Sequence, residues 1–305
     1  MRDAIYPQWR KINMLQLPSD SLMCPSVNAS SGQRPIHAVT GPTRIFADRL
    51  LKLVVNLPLK GIERSLKCAP GQLFDQRFLL GLAPACWRPE LLSGIRSELG
   101  MPPAMWELFA QLIGQANFLG LAFELGANGC VYKAYLEFPV LVARHQYQPN
   151  GNNPPALLYK GFKWQPTSSE HQVFTDYHWT PQLPRDAIEM QLRTHLAPLT
   201  HATVRTLVDD IVEQACTRTS DQGLTCLEVS EAMTSRSSFD LNVYPAGISV
   251  AQITGRLTDV GQQFGLDSAQ LASALKADKD QILGHISAGC DRNGQDFLTL
   301  YYDVT

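Results

Sequence analysis

The chain has 305 residues, 45% of them hydrophobic, and a formal net charge of −2, which allows one large core or two ordinary ones and gives no global basic field for nucleic acid. Its seven cysteines are scattered, odd in number and free of CxxC pairs, which argues against a disulfide framework or a structural zinc site. They read as reduced, buried small hydrophobes in a cytoplasmic protein.

Residues 1–40 carry Pro7, Pro18, Pro25 and Pro35 and a Ser/Asn/Gly cluster from Ser26 to Gly32. Without sustained periodicity they read as an irregular lead-in to a single domain over 41–305. Asp3, Trp9, Arg10 and Lys11 break any apolar run at the start, so no secretory signal is expected, and no stretch reaches the ~18 apolar residues of a membrane span. Thr43 to Leu57 has a helical pattern, and further helices are predicted over Phe74–Leu82, over Pro89–Leu99 up to Gly100, and over Met101–Leu112 after Pro102 and Pro103, which suit a first turn.

A strand-rich region follows. Phe118–Leu125 and Cys130–Val140 flank Gly126, Ala127, Asn128 and Gly129, a hairpin signal. Leu157–Trp164 pairs with Val173–Trp179, Leu224–Val229 with Phe239–Tyr244, and Ile282–Ser287 with Phe297–Val304. Helices are predicted between the later pairs, at Pro184–Leu196, His201–Arg218, Val250–Phe264 and Ser268–Leu275. Consecutive hairpins favour antiparallel pairing in an α+β fold, and no Rossmann unit is visible.

Each strand has one aliphatic and one chemical face. Tyr132, Ala134, Leu136 and Phe138 alternate with Lys133, Tyr135 and Glu137, and Phe239, Leu241 and Val243 with Ser238, Asp240, Asn242 and Tyr244. The helices need apolar strand surface, so the polar face looks away from them. In an open antiparallel sheet with helices on one face it would meet water. In a closed antiparallel β-barrel surrounded by helices it would line a lumen, and the inward count of Tyr135, Tyr244, Tyr301, Phe297 and Phe118 favours closure.

These strands, CVYKAYLEFP (Cys130–Pro139), LLYKGFKW (Leu157–Trp164), SRSSFDLNVYP (Ser235–Pro245) and FLTLYYDV (Phe297–Val304), resemble the ABBA-barrel aromatic prenyltransferases of the soluble bacterial type. The resemblance covers roughly Thr43 to Thr305. It implies transfer of an allylic isoprenoid from its diphosphate to an electron-rich aromatic small molecule or peptide side chain, with no membrane span and no nucleic-acid partner. It further implies that Lys133, Lys160 or Lys163, and Arg236 hold the diphosphate. Tyr135, Tyr244 and Tyr301 would shield the carbocation, with Asn242 and Thr299 lining the same space. Phe297 and Thr299 stand where a base could be expected, and Glu124, Glu137, Asp240 and Asp303 face few cations. Such an acidic lumen calls either for Mg²⁺, which stays optional in the family, or for carboxylates that act on the acceptor. Glu137, Asp240 and His285 are the acid–base candidates.

Asp209, Asp210 and Glu213 spell DDxxE, but on an amphipathic helix that set reads first as a solvated face. His171, His178, His195 and His201 lack metal spacing. No GxSxG, Walker or GxGxxG pattern occurs, which disfavours those hydrolase, P-loop and dinucleotide classes. Two alternatives to prenyl transfer stay open: a non-prenylating protein of a biosynthetic pathway that binds a small molecule or partner, and a barrel enzyme that works without diphosphate.

Overall fold

A computed structural model describes residues 44–126, 129–139, 154–180, 183–219 and 224–302, apart from the side chains of 169 and 170. The lead-in expected over 1–40 and Asp303 lie outside these residues. The described elements run α1 (Arg44–Val54), β1 (Leu59–Ala69), β2 (Gln72–Phe74), β3 (Arg77–Leu82), α2 (Pro89–Ser97), α3 (Pro103–Leu112), β4 (Phe118–Gly126), β5 (Gly129–Glu137), β6 (Ala156–Gln165) and β7 (Ser168–Trp179). They continue with α4 (Arg185–Leu196), α5 (Ala202–Arg218), β8 (Thr225–Ser230), β9 (Ser237–Asn242), α6 (Val250–Gln263), α7 (Ser268–Asp278), β10 (Leu283–Cys290) and β11 (Asp296–Tyr302).

All strand pairs are antiparallel, and β1 closes on β11 through a register running from Arg64↔Tyr302 to Cys68↔Leu298. Ten strands therefore form a closed barrel in the order β11-β10-β9-β8-β7-β6-β5-β4-β3-β1, with β2 a short spur on β1. The open-sheet alternative is excluded by this seam. One expectation is corrected: Phe74–Leu82 is not a helix but the end of β2 and the whole of β3. Every residue of β3 is buried, since one face meets the helices and the other the lumen, so the strand shows no alternation to read.

The face assignment holds around the barrel. Tyr132, Ala134, Leu136, Phe138, Phe162 and Trp164 belong to one outward core that packs against α1, α2 and α3. Tyr132 Oη donates to Phe46 O at 2.7 Å and Trp164 Nε1 to Leu99 O at 2.8 Å, which pins helix layer to barrel. A second outward core joins Phe239, Leu241, Ile286, Leu298 and Leu300 to α4, α5, α6 and α7. The DDxxE set lies on α5, where Val208, Ile211, Val212 and Ala215 are the buried side. Asp210 pairs there with Arg256 at 2.6 Å on the surface. Among the described residues no helix is long and apolar enough to cross a membrane.

The β1–β3, β4–β5, β6–β7, β8–β9 and β10–β11 turns lie at one end of the barrel and the helices that link β3 to β4, β7 to β8 and β9 to β10 lie at the other, so the lumen has a turn end and a helix-loop end. At the turn end Gly289 has φ 142°, and a Cβ there would overlap Ser237 O and sit 2.6 Å from Ser238 Cα. Gly289→Ala should therefore destabilise the fold by about 2–4 kcal/mol, read as a lower denaturation midpoint. An unchanged midpoint would contradict the close approach of β10 and β9.

Candidate active site

Antiparallel register brings the inward charges into two groups. At the turn end, Glu124 at the end of β4 accepts from Lys133 Nζ at 2.6 Å and lies 2.8 Å from Arg77 Nε. Lys67, on the same face of β1, lies over the rings of Phe74 and Phe297 at 5.2 and 5.4 Å. Across the mouth, Glu231 just beyond β8 meets Arg236 at 2.9 Å, Arg292 at 3.0 Å and Lys163 at 3.4 Å, and accepts the Thr175 hydroxyl at 3.1 Å. Arg236 also covers the ring of Phe297 at 5.3 Å. Six basic side chains thus share one end with Glu124 and Glu231, and Asp291 of the β10–β11 turn acts there on Lys67.

Burial and this crowding set the protonation states. Burial would raise the Glu124 carboxyl, but Lys133, Arg77 and Lys67 hold it well below the ordinary range. The same contest, against Lys163, Arg236 and Arg292, leaves Glu231 lowered. Burial pulls Lys133 down to about 8 against the pull of Glu124. Lys163 falls well below its usual range through burial and the neighbouring Arg236, and Lys67 is lowered by burial. These lysines hold their protons weakly, so an anion that entered would gain a partner and stabilise their charge.

Toward the helix-loop end the chemistry changes. His285 on β10 is held at both nitrogens, Nδ1 by Asp240 Oδ1 at 2.8 Å and Nε2 by Glu63 Oε2 at 2.7 Å. Its ring lies parallel to Tyr301 at 4.0 Å between centroids, and the Arg77 guanidinium lies 6.0 Å from the other partner of that stack, the Tyr301 ring. Burial disfavours the imidazolium, yet Asp240 and Glu63 override it and raise His285 to about 10. The Glu63 carboxyl is raised by burial despite the His285 contact. Tyr135 and Tyr301, pushed up by burial, and Tyr177, pushed up to about 12, stay neutral donors. Tyr135–Tyr177 and Tyr159–Tyr177 meet edge to face at 6.0 and 6.2 Å. A cavity of about 10 Å³, room for about one water, lies among Tyr159, Tyr177, Leu227, Asp240 and His285.

The residues singled out from sequence separate cleanly. Lys133, Tyr135, Glu137, Lys163, Asp240, Asn242, His285, Thr299 and Tyr301 stand on lumen-facing register positions, and Arg236 reaches the lumen mouth. Lys160 does not: it pairs across the strand with Leu136 on the outward face, and its ammonium meets Asp176 at 2.7 Å. Tyr244 does not either, because β9 ends at Asn242 and the ring is 40% exposed on the following turn. The expected shortage of cations is also corrected. Lys67, Arg77 and Arg292 supply them, and with Glu63 and Glu231 they were missed because they lie in the unread β1–β3 hairpin or in turns. Among the described residues no group of three or more His, Cys, Asp or Glu is arranged to hold a metal ion.

No family model and no curated protein matches the chain in sequence. Solved structures match in three dimensions. PriB, as its binary complex with product diphosphate, superposes with a TM-score of 0.56 at 14% identity over 87% of this chain and 90% of that one. AnaPT from Neosartorya fischeri gives 0.52 at 11% identity over 80% and 78%. The 6-dimethylallyltryptophan synthase from Micromonospora olivasterospora, in complex with DMASPP and Trp, gives 0.50 at 13% identity over 79% and 81%. The shared feature is the fold, the helix-wrapped closed barrel that the strand texts resemble.

Two outcomes follow from the charges. Affinity for inorganic pyrophosphate, measured by calorimetry, should fall as pH rises through about 8, and Lys133→Arg, whose guanidinium keeps its proton, should fall less. His285, raised above its unfolded value, contributes stability that is whole below about 6.5, shrinks as pH rises, and is gone above about 10. The denaturation midpoint should therefore drop across that window, and His285→Gln should lose much of the drop.

Proposed function

We propose that the chain is a prenyltransferase that alkylates an electron-rich arene with the allylic group of an isoprenoid diphosphate. The observation that carries this reading is the convergence of Lys67, Arg77, Lys133, Lys163, Arg236 and Arg292 on one end of a closed lumen. The barrel shared with PriB, seen with product diphosphate, supports it.

The chemistry follows from the layout. Cations at the turn end bind the diphosphate and stabilise the negative charge that grows on its bridging oxygen as the C–O bond breaks and the electron pair leaves with it. The allylic cation then lies below the phosphates, where the rings of Tyr135, Tyr177 and Tyr301 offer π faces and exclude water. The arene attacks from the helix-loop end, its π pair forming the new C–C bond, and the resulting arenium must lose a proton. His285 is a poor acceptor for it, since two carboxylates keep its imidazole protonated. Glu63, a buried carboxylate whose proton affinity is raised, is the better base, and His285 orients it. Glu137 and Asp240 remain on the same side of the lumen as further carboxylates. The cations do the work that Mg²⁺ does elsewhere, so turnover should survive chelator.

Glu63→Gln should lower kcat by about 10²–10³ while leaving affinity for dimethylallyl thiodiphosphate unchanged, measured by product formation with dimethylallyl diphosphate over a panel of indoles and phenols in the presence of EDTA. Full turnover in that variant would remove Glu63 from the proton step. No product with any acceptor, metal present or absent, would oppose the reading as a whole.

A further inference from the structure

Glu231 differs from Glu124, the other carboxylate that pairs the turn-end cations, in how it is held. Glu124 is fixed inside the ladder, opposite Arg77 on β3 and Val131 on β5. Glu231 follows Ser230, the last paired residue of β8, which opposes Asp176, so its side chain can turn away without breaking strand pairing. Its carbonyl anchors the turn, accepting from Thr234 N at 3.3 Å and from the Thr234 hydroxyl at 3.0 Å. Met233 in that turn has φ 60° and projects fully into solvent. The carboxylate is buried but incompletely served: Oε1 accepts from Thr175, Arg236 and Lys163. Oε2, although 3.0 Å from Arg292, accepts no hydrogen bond among the described residues, a costly state for a buried carboxylate oxygen.

The cations around Glu231 have other anchors. Arg236 Nε donates to the Ser238 hydroxyl at 3.0 Å, and its guanidinium covers Phe297 at 5.3 Å. The Ser235 hydroxyl donates to Arg292 O at 3.1 Å, tying the β8–β9 turn to the β10–β11 turn. Lys163 sits in the β6 ladder opposite Lys133 and Val173. We propose that Glu231 is an exchangeable counter-anion: it pairs Lys163, Arg236 and Arg292 before the donor binds and gives them up to the donor's diphosphate. This rests on the reading of the turn end as the diphosphate seat. The exchange is favourable because a diphosphate carries more negative charge and more acceptor oxygens than a carboxylate, and the released Glu231 regains water at the mouth. Glu124, locked in the ladder, stays with Lys133 and Arg77.

The test is calorimetric titration of inorganic pyrophosphate, in EDTA, into the full chain, into Glu231→Gln, and into Thr175→Val, which removes one donor to Glu231 and conserves charge. Exchange predicts that Glu231→Gln binds pyrophosphate about tenfold or more tighter than the wild type, and Thr175→Val about threefold tighter. A change in background charge alone would tighten Glu231→Gln and leave Thr175→Val unmoved or weaker, and that result overturns the proposal. So does a Glu231→Gln affinity equal to or weaker than that of the wild type, or no pyrophosphate binding to any of the three. If Glu231→Gln does not fold, Thr175→Val decides: tighter binding supports exchange, and unmoved or weaker binding overturns it. If both affinities rise as stated but no product forms from dimethylallyl diphosphate with any acceptor, the prenyl-transfer reading fails alone. If the wild type turns over and neither variant binds pyrophosphate more tightly, only the present inference fails.

Discussion

The seam between β1 and β11 is the contact on which the rest of the molecule depends. While a sheet of this composition is open, its polar face can be wetted; once Arg64–Cys68 pair with Leu298–Tyr302, that face becomes the wall of a chamber. Charges inside it lose water and must find partners, because an unpaired buried ion costs several kcal/mol. The structure shows the result: Glu124 between Lys133 and Arg77, Glu231 among Arg236, Arg292 and Lys163, and His285 between Asp240 and Glu63. Closure thus turns a scatter of inward charges into three fixed constellations.

Fixed charges of this kind suit electrostatic catalysis. Donors already held in place need not reorganise when charge develops in the transition state, and a closed low-dielectric chamber strengthens each interaction. The carboxylates at the turn end have a matching role. They pair with Arg77, Lys133, Lys163, Arg236 and Arg292, while Lys67 lies over the rings of Phe74 and Phe297. Tyr301 links the two halves, stacked on His285 on one side and near Arg77 on the other, so the cation-rich end and the His285 cluster share one ring.

Much of this was legible in the sequence. Wherever a strand has one helix-facing side and one polar side, as in Cys130–Phe138 or Ser238–Asn242, period-two alternation identified both the strand and its inward residues, and Lys133, Tyr135, Asp240, His285 and Tyr301 were found that way. Alternation is absent where both faces are apolar or both are polar. Arg77–Leu82 is buried on both sides and gave no period, so β3 read as a helix and its partner β1 went unseen, which hid Glu63, Lys67 and Arg77. Lys160 was misplaced for a related reason: LLYKGFKW holds two lysines three residues apart, necessarily on opposite faces, and only the register with β5 decides that Lys163 is the inward one. Tyr244 kept the alternation but lies past the end of β9, where the 3₁₀ turn at Tyr244–Ala246 turns it outward. The cluster around Glu231 is assembled from turns, whose side-chain directions no periodicity encodes.

If the cations gathered at the turn end of the closed lumen form an anion site, an isoprenoid diphosphate mimic should bind there without metal. The most direct measurement is calorimetric titration of dimethylallyl thiodiphosphate into the full chain in EDTA, repeated with Lys133→Ala and Arg77→Ala under a denaturation control. Micromolar binding to the wild type without added metal is expected, with loss of at least about tenfold in each variant while both remain folded. Absence of binding to a folded wild type, or affinity untouched by either substitution, would contradict it.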